Sequence, residues 1–365
     1  MASLVANEAQ RASANQADAS CRALFLVAPA SGQGKTTITA ALARALVASG
    51  KRVRVFKTGP DYLDPQVLEQ ASGHPVVQLD LWMAGERYCR QQFHQAAREA
   101  DLVLVEGAMG MFDGDPSSAD LAARFGIPMA IVLDVKGMAQ TAAAVAAGLA
   151  GFRSGLEILG VIANHCGSER HAQLIRDALP ADLPLLAALA RDPDIALPER
   201  HLGLVQAGEV SAELEQRFAS GVAALASGGL DVQALWDGLV QVCFRAEREE
   251  PVARTLAGVR IGIARDAAFS FIYAANVQLL EAMGAELSFF SPLDDIALPE
   301  VDALWLPGGY PELHAAALGA NHSMRDAIIA FHHAGAPILA ECGGLLYCLE
   351  TLTDLDGVST PMLGI

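Results

Sequence analysis

The stretch FLVAPASGQGKTTITAALARAL, residues 25–46, limits the possible folds more than any other part of the chain. A buried apolar strand runs into a glycine-rich turn and then into a helical pattern that opens on a lysine and two threonines. In that order the loop N–H groups and the helix N-terminus converge on one point, which suits a phosphate. Lys35 would neutralise that phosphate and Thr36 would reach Mg²⁺. Gly32 and Gly34 supply the turn, although Pro29 stands where a Walker-type loop carries its first glycine. The nucleotide-binding set read here is Gly32, Gly34, Lys35, Thr36 and Thr37.

The remaining text places this unit in a larger sheet. RALFLVAP, KRVRVFKTG, DLVLVEGA, PMAIVLDV and LGVIANH read as buried strands separated by helix-length segments, the signature of a parallel sheet covered on both faces. Near residue 244 the text turns charged and proline-containing, and a second series follows: VRIGIARD, ELSFFSP, ALWLPGG and PILAEC as strands, YAANVQLLEAMG as a helix. The expected fold class is α/β, with a P-loop parallel-sheet domain over 21–243, a linker over 244–257 and a second α/β domain over 258–365. Residues 1–20 are expected to be a mobile tail.

Composition narrows the partners. The chain is 52% hydrophobic and 18% charged, as a compact two-domain enzyme requires, and 25 Lys plus Arg stand against 42 Asp plus Glu. A net charge of −17 leaves no broad basic surface for nucleic acid, so an anionic ligand must be held by local devices. Six scattered cysteines without a C-x-x-C pair read as a reduced, cytoplasmic protein without structural zinc. The N-terminal residues lack a basic start and apolar core, and GMAQTAAAVAAGLAGF is too short and too rich in small residues to span a bilayer, so no membrane partner is expected.

Acids follow the strands. KTGPDYLDP offers Asp61 and Asp64 between two prolines, and VLVEGAMGMFDG ends a strand at Glu106 and adds Asp113. Each alone is readable as a turn or cap residue, but four acids beside one phosphate loop, at the C-terminal ends of parallel strands, surround the crevice where such folds bind ligands. Mg²⁺ takes one or two carboxylates with phosphate oxygens, which makes Asp61 and Glu106 the metal candidates alongside Thr36. Asn164 ends a further strand and is a candidate for the adenine edge or a turn. In ILAECGGLLYCLETL, Cys342 stands at a strand-to-helix corner, either packed as a small hydrophobe or poised as a nucleophile.

Taken together, SGQGKTT, KTGPDYLDP, EGAMGMFDG, LPERHLGLVQAGE, LPGGYPE and AECGGL resemble the family of cobyrinic acid and hydrogenobyrinic acid a,c-diamide synthases. The resemblance implies a dethiobiotin-synthetase-like domain joined to a class I glutamine amidotransferase domain. It implies ATP and Mg²⁺ as cofactors, a corrinoid tetrapyrrole and glutamine or ammonia as partners, and it admits a homodimer. Asp64 and Asp113 would position substrate or ammonia, and Cys342 would be the glutaminase nucleophile. Gly308, Gly309 and Gly343 would frame its oxyanion hole. Two departures stand out. Family members place a catalytic histidine beyond residue 365, whereas this chain has only His314, His322, His332 and His333 nearby, upstream of the cysteine, so the glutaminase half is expected to be incomplete. Ala30 replaces the early lysine of partition-type ATPases, which weighs against the alternative of a nucleotide-driven switch. A diamide synthase acting on another tetrapyrrole, such as nickel sirohydrochlorin, is the other alternative.

Overall fold

The computed structural model describes residues 17–197, 199–200, 203–204, 211–247, 251–354 and 356–365. The chain forms two compact units, Met1–Glu249 and Glu250–Ile365. In the first, chain order runs β1 (Ala19–Val27), α1 (Lys35–Ala48), β2 (Val53–Thr58), α2 (Asp64–Ser72), β3 (Val77–Leu79), α3 (Gly85–Glu99), β4 (Leu102–Glu106), α4 (Ser118–Phe125) and β5 (Met129–Asp134). It continues with α5 (Thr141–Gly151), β6 (Ile158–Cys166), α6 (Glu169–Ala178), β7 (Leu185–Ala190), the short pair β8 (Glu199–Arg200) and β9 (Gly203–Leu204), α7 (Ser211–Ser227), α8 (Val232–Gly238) and β10 (Gln241–Phe244).

Seven parallel strands lie in the order β3-β2-β4-β1-β5-β6-β7, and β10 joins β1 antiparallel. Both faces of β1 are buried. Ala23, Phe25 and Val27 enter one core with α3 to α6, while Leu24 and Leu26 enter the other with α1 and α7. This two-sided burial is why the strand reads as an unbroken apolar run rather than an alternation.

Three sheet members escape the sequence reading. β7 is LLAALA, without β-branched residues, and β3 has three residues after a proline. β10 holds its place through pairing with a strand far away in sequence. The tail boundary is also corrected, since Ala19 and Ser20 pair with Phe244 and Cys243 inside β1. Phe244 likewise belongs to a strand, and the two units divide later, inside the 244–257 segment. The motif spanning 197–209 lies largely outside the described residues. No single helix among the described residues is long and apolar enough to cross a membrane.

The second unit runs β11 (Arg260–Ala264), α9 (Ala274–Ala282), β12 (Glu286–Phe290), β13 (Ala303–Leu306), a 3₁₀ turn (Pro311–His314), α10 (Ala315–Ala320), α11 (His322–His333), β14 (Ile338–Ala340) and α12 (Gly343–Cys348). It ends in the antiparallel pair β15 (Thr351–Thr353) and β16 (Ser359–Pro361). Its parallel sheet has the order β12-β11-β13-β14, around Phe269, Leu306 and the fully buried Tyr347.

Candidate active site

In the first unit, the C-terminal ends of β1, β2, β4, β5 and β6 open on a cleft of about 890 Å³, lined among others by Gly32, Gly34, Lys35, Thr36, Thr37, Asp61, Asp64 and Asn164. Gly34 caps α1 with φ 89°, and a side chain there would meet Asn164 Nδ2 at 2.3 Å, so the loop depends on glycine twice over. Asn164 donates to the Gln33 carbonyl at 3.0 Å, and Asp134 N–H donates to Gln33 Oε1 at 2.9 Å. The ends of β5 and β6 thus clamp the loop. Asn164 also accepts the His165 N–H and is 5% exposed. Its amide is engaged in bracing the loop.

Lys35 Nζ donates to the carbonyls of Met109 at 2.8 Å and Ala30 at 3.2 Å. Met109 takes φ 49° to turn that carbonyl inward, an uncommon conformation for a non-glycine residue. Burial pushes the Lys35 pKa down. Thr36 donates its hydroxyl proton to Glu106 Oε1 at 2.9 Å. Asp113 is drawn back toward its own turn, where its carboxylate accepts the Gly110 N–H at 3.0 Å.

The residue that sequence reading missed is Lys57. Its ammonium lies 2.6 Å from Glu106 Oε1, 2.5 Å from Asp64 Oδ2 and 3.5 Å from Asp61 Oδ2. Burial disfavours its charge, but Glu106, Asp64 and Asp61 outweigh it and hold the pKa above the ordinary lysine value. Burial opposes ionisation of Asp64 too, yet Lys57 wins and holds that carboxyl low, while burial and the neighbouring Asp64 push Asp61 up. Burial likewise raises Glu106. The available signal was a lysine near the end of VRVFKT, a strand with apolar neighbours.

The donor set fits a magnesium ion that arrives with phosphates. Thr36 and Glu106 supply a hydroxyl and a carboxylate side by side, and Glu106 Oε2 is fully buried without a hydrogen-bond partner. Among the described residues no three His, Cys, Asp or Glu side chains are placed to hold a metal ion by themselves. Mg²⁺ accepts such a sparse site because phosphate oxygens and waters complete its octahedron.

In the second unit, Cys342 occupies the corner between β14 and α12 with φ 48° and ψ −112°. It is exposed, while Cys348 is buried. Glu341 pins the corner to β13: its N–H donates to the Leu306 carbonyl at 3.0 Å, and its Oε2 accepts the Trp305 indole N–H at 2.9 Å. Gly308, Gly309 and Gly343 converge here. A methyl group on Gly308 would lie 3.2 Å from the Cys342 Cβ, and one on Gly343 would lie 3.0 Å from the Gly309 nitrogen. His314 ends the 3₁₀ turn, and His322, His332 and His333 belong to α11.

Residues 24–205 match the family model of the CobQ/CobB/MinD/ParA nucleotide binding domain, and residues 260–365 match that of the CobB/CobQ-like glutamine amidotransferase domain. The hydrogenobyrinate a,c-diamide synthase of Stutzerimonas stutzeri is 56% identical over 345 residues, covering 94% of this chain and 79% of that protein. The chain belongs to the a,c-diamide synthase family. Within the family, the hydrogenobyrinate a,c-diamide synthase of Pseudomonas aeruginosa is 54% identical over 95% of this chain and 78% of its own length. The cobyrinate a,c-diamide synthase of Herminiimonas arsenicoxydans is 47% identical over the same shares. Both kinds of a,c-diamide synthase, named for hydrogenobyrinate and for cobyrinate, therefore occur among the relatives.

Proposed function

We propose that this protein is an ATP-dependent ligase that converts the a and c acetate carboxylates of hydrogenobyrinate or cobyrinate to amides in cobalamin biosynthesis, with glutamine or ammonia as nitrogen source. The observation that carries the reading is the convergence of Lys35, Thr36, Asp61 and Asp64 on one cleft, with the buried Glu106 hydrogen-bonded to Thr36 behind it. A carboxylate is a poor acyl donor because its charge repels nucleophiles and oxide is not a viable leaving group. Transfer of the γ-phosphoryl group to the carboxylate oxygen, with ADP leaving, removes both obstacles. Ammonia then attacks the acyl phosphate and inorganic phosphate departs.

Lys35 and the amides of the 31–36 loop would bind the phosphates and stabilise charge on the transferring group, where most catalysis of such a step resides. Thr36 and Glu106, with Asp61 close by, would hold Mg²⁺, whose contribution when bound is to neutralise phosphate charge. Asp64, ionised beside Lys57, is suited to orient the incoming ammonia, and Asp113 to shape the loop that presents the Met109 carbonyl. In the second unit Cys342 would attack the glutamine amide to form a glutamyl thioester and release ammonia, with the 308–309 and 343 backbone at the oxyanion.

Lys35→Ala tests the reading. It should abolish ATP-dependent corrinoid amidation with either glutamine or ammonium chloride. Near-normal amidation from ammonium chloride would refute the assignment of the loop.

A further inference from the structure

Lys57 is 3% exposed, and its ammonium stands at the focus of Glu106, Asp64 and Asp61, each within 3.5 Å of Nζ. Two of them, Glu106 and Asp61, are the carboxylates read above as partners of the metal ion. The two lysines of the cleft divide their work. Lys35 rests on the carbonyls of Ala30 and Met109 and is left for phosphate, whereas Lys57 is committed to the acids.

We propose that Lys57 is a built-in counter-cation that closes the metal site to a free divalent ion and makes metal entry depend on the phosphates of the nucleotide. The inference rests on the reading of this cleft as a nucleotide site. An ion arriving alone must share Glu106 with an ammonium already at hydrogen-bond distance, and like charges this close repel strongly in a buried site. It finds no cage elsewhere, since no three His, Cys, Asp or Glu side chains among the described residues are placed to hold a metal ion by themselves. An ion arriving on a nucleotide brings its own oxygen ligands and negative charge, and needs only the Thr36–Glu106 pair, already 2.9 Å apart. Lys57 thereby positions the acids in the empty cleft, keeping their oxygens in place without a metal.

Mn²⁺ provides the test, because the loss of its free-ion EPR signal, corrected for the Mn²⁺ that ADP alone binds, reads its uptake by the protein. Wild-type protein is titrated with Mn²⁺ alone and with Mn²⁺ plus ADP. The same titrations are run on Lys57→Met and on Lys57→Met/Asp64→Asn, which loses one acid along with the ammonium and so leaves less uncompensated buried charge. Wild type should take Mn²⁺ only when ADP is present. Removal of the ammonium should tighten nucleotide-free binding by roughly 10-fold or more in whichever variant folds. Wild type that binds Mn²⁺ alone as tightly as with ADP overturns the inference, and so do folded variants whose nucleotide-free affinity is unchanged. If the wild type binds neither ADP nor Mn²⁺ with ADP, the nucleotide reading of the cleft falls and takes this inference with it.

Discussion

Replacing Cys342 with glycine separates backbone strain from chemistry at the corner of the second unit. The residue has φ 48° and ψ −112°, outside the small left-handed region open to residues with a Cβ. Holding a non-glycine residue in such sparsely populated backbone costs on the order of 1–3 kcal/mol. Glycine removes that cost but returns about 0.5–1 kcal/mol through the greater freedom of its unfolded chain. The side chain is exposed, so its loss forfeits little burial. The net expectation is that Cys342→Gly is more stable than Cys342→Ala by about 1 kcal/mol, the reverse of the usual order for these two residues. Urea unfolding of the two variants followed by near-UV circular dichroism gives the difference directly. A glycine variant that is the less stable by the ordinary margin would refute the strain argument. Both variants should lose glutamine-dependent amidation and keep the ammonia-driven reaction; loss of both reactions in folded protein would make the thiol structural.

Two further outcomes follow from the packing. Burial pushes the Cys21 and Cys89 thiols up to about 12, Cys166 and Cys348 are also buried, and Cys243 and Cys342 are exposed. Iodoacetamide under mildly alkaline native conditions should therefore modify Cys243 and Cys342 alone, and mass spectrometry that finds Cys21 or Cys89 alkylated in folded protein would contradict the core described. Hydrogen bonds from Arg260 hold the Asp302 carboxyl down to about 2, from an ordinary value of 3.8. A carboxyl depressed in the folded state stabilises the fold above its unfolded pKa, and that contribution is lost as pH falls from about 4 through about 2. Asp302→Asn should flatten the acid limb of the second unit's stability curve in that window, and an unchanged limb would remove the pair from the account.

Much of this architecture was legible because two-sided burial writes itself as apolar runs, and because the loop at Gly32–Thr37 must be spelled with glycine, lysine and threonine to do its work. What stayed hidden depends on distance in sequence. Lys57 reads as an ordinary polar residue until β2 pairs with β4 and sets it opposite Glu106. Asn164, which lines the cleft, also braces the loop through the Gln33 carbonyl, a role visible only once the strand ends are placed. β7 is spelled in leucine and alanine, which favour helices, and becomes a strand because β6 offers it an edge.

The pairing of β1 with β10 also sets a clock. Ala19 leaves the ribosome long before its partner Phe244, which lies near the end of the first unit. At roughly 5–20 residues per second, the intervening segment takes on the order of 10–45 s to synthesise. For that interval the N-terminal half of the central strand presents an unpaired ladder, the kind of edge on which nascent chains associate. The first unit can begin to collapse early, with β1 seated between β4 and β5, but the N-terminal end of β1 is paired only when translation passes Phe244, and a chain interrupted before Gln241 keeps that end open permanently.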